Sequence, residues 1–118
     1  MNLESPADRL LTRLLSAAAM RHRVIANNVA NSSTPGFLRG EVNFEDRLRD
    51  ALLRGETDLD AYVPTIETDK VTPSGFDGNN VTLESEMNAL EENRITYELY
   101  AAILASRNEM IRASIETR

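Results

Sequence analysis

Two stretches of the chain repeat apolar or small residues at heptad spacing, one near each end. In the first, Leu11, Leu15, Ala18, His22, Ile25 and Val29 follow at intervals of four and three, the pattern of a helix with one packed seam. Leu10, Leu14, Ala17, Arg21, Val24 and Asn28 run beside it. Ser5 is a good N-cap and Pro6 suits the first turn, while Asp8 adds negative charge near the N-terminal dipole. The pattern predicts a helix from about Pro6 to about Asn31, on the order of 39 Å at 1.5 Å per residue.

The second walk passes through Leu83, Met87, Leu90, Arg94, Tyr97, Ala101, Leu104, Asn108, Ile111 and Ile115 without a break. Thr82 is its expected N-cap, and the helix should reach almost to Arg118. Ile95, Leu99, Ala102, Ile103, Ser106, Met110 and Ala113 make a second stripe on a neighbouring face. One partner helix cannot cover both stripes, so the second needs a further helix, from this chain or another subunit.

Between the two helices the pattern breaks. Ser32-Ser33-Thr34-Pro35-Gly36 stops the first helix: Pro35 pushes Thr34 toward extended geometry, and Pro-Gly fits the centre of a type II turn with Gly36 at positive φ. Residues 37–42 read as extended. Asn43 reads as the cap of a short helix, Phe44 to Arg54, ended by Gly55. Its apolar face is Phe44, Leu48, Ala51 and Leu52. From Glu56 to Asn80, prolines, glycines and acids interrupt scattered apolar residues. Ala61-Tyr62-Val63 and Thr65-Ile66-Glu67 read either as short strands around Pro64 or as part of a mobile connector. The fold class is therefore mainly α: an N-terminal helix, turn and short helix over 1–54, a variable and at most weakly β connector over 55–82, and a C-terminal helix over 83–118 that packs on the first.

Composition narrows the chemistry. A chain of 118 residues fits one small domain. It has no cysteine and one histidine, which removes disulfides, thiolate metal sites and a histidine-rich metal site. Charge is uneven: five arginines face two acids in residues 1–40, whereas eight basic residues face seventeen acids afterwards. The basic excess is too small for a nucleic-acid surface. No basic leader with an apolar core is visible, and no apolar run nears the roughly 18 residues that span a bilayer. No nucleophile-elbow glycines flank a serine, the glycines make no phosphate loop, and the acid pairs Glu84/Glu86 and Glu91/Glu92 point to different helix faces. Asp77-Gly78-Asn79-Asn80 reads as a turn, and His22 as a packed or interface histidine. No enzyme, cofactor, metal or small-molecule substrate is expected.

One local feature stands out. Asn27, Asn28 and Asn31 crowd the end of the first helix, although asparagine is a mediocre helix former. Asn27 and Asn31 lie one turn apart on the same face. Their amides can hold the last helical carbonyls and the amides of the following turn. Asn28 lies about 100° round and can bond across to a neighbour.

The run Asn27, Asn28, Val29, Ala30, Asn31, Thr34, Gly36 and Phe37 resembles the N-terminal signature of bacterial flagellar rod and hook subunits. Pro35 and the segment Glu41 to Leu48, with Asn43 where aspartate is usual, resemble the proximal-rod branch of that family. So does the C-terminal set Gly78, Asn79, Val81, Leu83, Glu86, Met87, Leu90, Asn93 and Tyr97. The resemblance covers 10–54 and 78–115 and leaves out the connector. It implies a structural subunit of the flagellar basal-body rod, self-assembling through its terminal helices into part of the torque-transmitting drive shaft and export-channel wall. Leu11, Leu15, Ile25, Leu90, Tyr97 and Leu104 would pack the helix seams. Ile95, Leu99, Ile103 and Met110 would meet neighbouring subunits. The implied partners are the rod proteins FlgC and FlgF, the ring adaptor FliE and the flagellar type III export apparatus. The implied location is the periplasmic rod, reached without a cleaved signal peptide. The sibling rod subunit FlgC, or a non-flagellar helical binding module, is the competing reading.

Overall fold

The structure, a computed structural model, describes residues 5–116. The last two positions of the expected C-terminal helix lie outside the described residues. The elements are α1 (Pro6–Ala30), β1 (Gly40–Glu41), α2 (Phe44–Leu53), β2 (Glu67–Thr68) and α3 (Leu83–Glu116). The chain is mainly helical, and α1 and α3 lie side by side in antiparallel sense.

α1 starts where its sequence allows. The Ser5 hydroxyl accepts the Asp8 amide at 3.2 Å, and the Asp8 carboxylate accepts the Ser5 amide at 3.2 Å, which closes a capping box. Asn31 is the C-cap. The Thr34–Phe37 turn follows, with the Phe37 amide on the Thr34 carbonyl at 3.2 Å and Gly36 at φ +74°. α2 ends, as its glycine predicts, at Gly55 with φ +79°. Asn43 precedes α2, but its side chain does not cap it. The amide instead donates to the carboxylates of Glu41 at 3.1 Å and Glu67 at 3.2 Å, because ionised acceptors bind a donor more strongly than backbone groups.

The connector folds back on the signature turn. β2 pairs antiparallel with β1, Gly40 opposite Thr68 and Glu41 opposite Glu67. Residues 61–63 form no strand. Tyr62 turns toward the core and its carbonyl accepts from the Arg13 guanidinium. The apolar core is small: Ala17, Val24, Val42, Phe44 and Leu48, with Leu10, Leu14, Met20, Leu59 and Tyr62 packed against it. It lies between α1 and α2. His22 is exposed rather than packed, since α3 and α2 both contact faces of α1 that leave position 22 outside.

α3 meets α1 through a seam rotated from the expected one. Leu90, Leu104 and Ile111 stay half-buried on it, and Tyr97 lies at its edge. The companion column Met87, Arg94 and Asn108 is exposed. Its place is taken by Glu86, Asn93, Tyr100 and Arg107, spaced seven apart. Hydrophobic patterning cannot see this column, because its members are polar. Glu86 and Asn93 are buried and Tyr100 and Arg107 half-buried, and each of Glu86, Asn93 and Arg107 finds partners on the N-terminal half.

Candidate functional site

The signature stretch and the start of α3 form one hydrogen-bonded junction. Its centre is Asn28, which is completely buried. The Asn28 side-chain amide donates to the Gly40 carbonyl at 3.0 Å and accepts the Gly40 amide at 2.9 Å. Its second N–H goes to Glu86 Oε2 at 3.1 Å. The side chain thus stands in for a third strand beside β1, while the Arg39 carbonyl on the other side accepts the Asp69 amide at 2.9 Å. A side chain at residue 40 would obstruct this: a Cβ there would stand 3.0 Å from Val24 Cγ1.

Glu86, 2% exposed, is held from two sides. Asn28 occupies one oxygen, and Arg39 Nε donates to the other at 2.6 Å. Arg39 also reaches Asp69 at 2.8 Å and Glu41 at 3.2 Å. Burial opposes its charge, but the bonds to Glu86 and Asp69 raise its pKa above the ordinary arginine value. Asp69 is held far below the usual carboxylate range, first by the Thr72 hydroxyl and amide, then by Arg39 and the Val71 amide. The cluster is a buried ion network with every described buried side-chain polar atom paired.

Two more asparagines clamp the turn from below. Asn79 donates to the carbonyls of Asn31 and Thr34, both at 2.8 Å. Asn80 accepts the Arg39 amide at 2.7 Å and donates to the Asp69 carbonyl at 2.9 Å. The Gly36 amide donates to the Asp77 carbonyl at 2.7 Å. Gly78, at φ +78°, sits so close that its Cβ would lie 3.3 Å from Gly36 Cα. The Gly78-Asn79-Asn80 turn therefore closes the exposed backbone left where α1 ends.

The expected roles divide accordingly. Asn31 donates to the Asn27 carbonyl at 2.9 Å, as its spacing suggests, but the turn group it accepts from is the Thr34 hydroxyl, at 3.1 Å, and the Asn27 side chain accepts from Asn31 at 3.3 Å. The neighbours that Asn28 reaches, Gly40 and Glu86, belong to its own chain. Asn27, Ala30, Thr34, Pro35 and Gly36 are exposed, and Val29 and Phe37 half-buried. Of the seam set, Ile25 is buried, Leu11 and Leu15 half-buried. Ile95, Leu99, Ile103 and Met110 remain 39–68% exposed. Sequence reasoning misses Arg21, Asn80 and Arg107 as junction residues. The only signal is their spacing: Glu86, Asn93 and Arg107 share a heptad column, and Arg21 and Asn28 share another.

Farther along, Asn93 donates to the Ala18 carbonyl at 2.8 Å and accepts from Arg21 at 3.2 Å. Arg21 continues to Glu45 and to the Val42 carbonyl. At the far end Arg107 binds Asp8 at 2.7 Å and the Ser5 hydroxyl at 3.1 Å. Arg107 and Ser5 together hold the Asp8 carboxyl below its ordinary pKa. Among the described residues, no cluster of three histidine, cysteine or acidic side chains could hold a metal, and no helix is long and apolar enough to cross a membrane.

The family model for flagella basal body rod proteins matches residues 13–37, which include the signature and Asn28. The flagellar basal body rod protein FlgB of Borrelia hermsii is 33% identical over 89% of this chain and 92% of its own. The chain belongs to the FlgB family of flagellar rod proteins. FlgB of Bacillus subtilis is also 33% identical, over 83% of this chain and 84% of its own. FlgB of Salmonella typhimurium is 22% identical over 84% and 85%. The rod-protein resemblance thus resolves to FlgB rather than FlgC. The FlgB relatives are structural rod proteins, and of the junction residues Asn28 lies within the matched segment.

Proposed function

We propose that this FlgB-family chain is a structural subunit of the flagellar basal-body rod that assembles through α1 and α3 into part of the drive shaft and the wall of the export channel. The observation that carries the reading is the exposed stripe on α3. Ile95, Leu99 and Met110 are each more than half exposed, along a helix whose other face is already occupied by α1. A monomer does not gain from leaving such a stripe in water. A subunit packed among other helices buries it.

The connector 55–82 and the junction would then fix how the chain leaves the helical layer. The polar α1–α3 seam and the small core make the isolated pair marginal, so ordering and assembly are coupled. That suits passage through the export apparatus in an unfolded state and placement in the periplasmic rod. Association with FlgC, FlgF and FliE belongs to the same reading. The test is genetic. Cells lacking the chain should build no rods and not swim, and the full-length chain supplied in trans should restore both. Intact rods in its absence would remove this function.

A further inference from the structure

We infer that Asp77-Gly78 is a modification site: Asp77 isomerises to isoaspartate through a cyclic imide when the junction is open, and is held unreactive while the junction is closed. The inference does not depend on the rod assignment. Asp77 is exposed to water and Gly78 is half-buried. They form the only Asp-Gly in the chain, which has no Asn-Gly. Glycine in second place leaves the attacking amide with no Cβ to block its approach. The Gly78 nitrogen bonds to Asp77 Cγ, and one carboxyl oxygen leaves as water, with the amide proton and a second proton from the carboxyl or the solvent. Water then adds back to the five-membered imide. Breaking the bond at Cγ returns aspartate. Breaking it at the former main-chain carbonyl leaves Gly78 attached through Cβ and Cγ. Water is the only co-reactant, and nothing is oxidised or reduced.

The closed junction occupies the groups that ring closure needs. The Gly78 amide donates to the Gly75 carbonyl at 3.0 Å. Asp77 Oδ1 accepts the Asn79 amide at 3.1 Å, and the Asp77 carbonyl accepts the Gly36 amide at 2.7 Å. Asn79 and Asn80 pin the next two residues to the Asn31, Thr34 and Asp69 carbonyls. Turning the Gly78 nitrogen onto Cγ breaks the first two bonds and pulls on the rest, so reaction requires a local opening of the loop. The modification in turn bars closure. An isoaspartyl backbone carries one extra carbon, about 1.5 Å of added path. It also turns the carbonyl that Gly36 holds into part of a free carboxylate. Gly78 has little slack to absorb this, since a Cβ on it would lie 3.3 Å from Gly36 Cα. A chain that isomerises while open cannot seat Asn79 and Asn80 in their clamps, so the site records how long the junction stays open.

Ageing the full-length chain at neutral pH, in native buffer and in guanidinium chloride, tests this. Trypsin cuts after Lys70 and Arg94, and chromatography resolves the released peptide 71–94 into aspartyl and isoaspartyl forms of equal mass. A synthetic peptide of the same residues gives the unshielded rate. The chain in guanidinium should isomerise at the peptide's rate. In native buffer it should be at least about tenfold slower, because the loop is then open less than about a tenth of the time. Asn79→Ala, with helicity confirmed by circular dichroism, should regain much of that difference. Asn27→Leu, outside the clamp, should stay as slow as the wild type. Isomerised chain should refold to a lower thermal midpoint and recover it after treatment with a protein-isoaspartate methyltransferase and S-adenosylmethionine, which returns isoaspartate to aspartate. No isoaspartate in guanidinium would remove the site. Equal rates in the two solvents, or Asn79→Ala as slow as the wild type, would remove the shielding. An unchanged midpoint would remove the bar to closure.

Discussion

Asn28 and Gly40 exchange two hydrogen bonds, at 3.0 and 2.9 Å, as residues on neighbouring strands do. A single side chain thereby satisfies both backbone groups of a residue whose Cβ would crowd Val24. Replacing Asn28 with Leu leaves Gly40 and Glu86 without these partners. Each buried group so orphaned costs about 1–3 kcal/mol, so the loss should be several kcal/mol in urea denaturation of the full-length chain. Asn27→Leu, on the exposed face, should change stability by no more than about 0.5 kcal/mol. Equal losses from the two would show that the asparagines act as a surface cluster and not through this pairing.

Gly40 and Gly36 are both glycines for different reasons, and substitution separates them. Gly40→Val meets Val24 Cγ1, which lies 3.0 Å from the Cβ position, and overpacking of this kind costs about 1–3 kcal/mol. Gly36 has nothing within 4 Å but a φ of +74°, so Gly36→Ala should cost about 1 kcal/mol through backbone strain alone. Adding Val24→Ala should recover part of the first loss and none of the second. Thermal denaturation of the paired variants checks this, and equal recovery in both backgrounds would contradict the steric account of Gly40.

Acid should loosen the junction and the far clasp together. Asp69 and Asp8 both have folded-state pKa values below ordinary, against about 3.9 in an unfolded chain. Their stabilisation is therefore complete above about pH 4 and drains away as pH falls below it toward the folded values. Asp69→Asn and Asp8→Asn should each flatten the stability curve between about pH 4 and 2. Unchanged acid sensitivity in the double variant would place the titrating groups elsewhere.

The polar column on α3 is not uniform in its demands. Asn93 bonds a carbonyl inside α1 and shares Arg21 with Glu45 and Val42, so Asn93→Leu orphans little and should change stability by less than about 1 kcal/mol. Glu86→Leu strips the buried partner from Arg39 and Asn28 and should cost about 3–5 kcal/mol. Calorimetry that ranks Asn93 above Glu86 would contradict a network centred on Glu86.

Local features of the sequence predict α1, its N-terminal cap, the Pro35-Gly36 turn, α2 and α3 within a residue or two, because each rests on neighbours along the chain. Caps, turn glycines and apolar periods act over a few positions, and their physics is complete there. The resemblance to rod proteins also rests on local runs, since residues 27–37 and 78–97 each carry their pattern intact. What tertiary structure alone decides is which face of α3 is buried and what Asn28 does. Both depend on partners far along the chain: Glu86 lies 58 residues from Asn28, and Arg107 lies 99 from Asp8. A polar side chain can enter a core only when donors and acceptors converge on it from several segments. That convergence has no local pattern, so hydrophobic spacing selects Met87 and Arg94 where the fold buries Glu86 and Asn93.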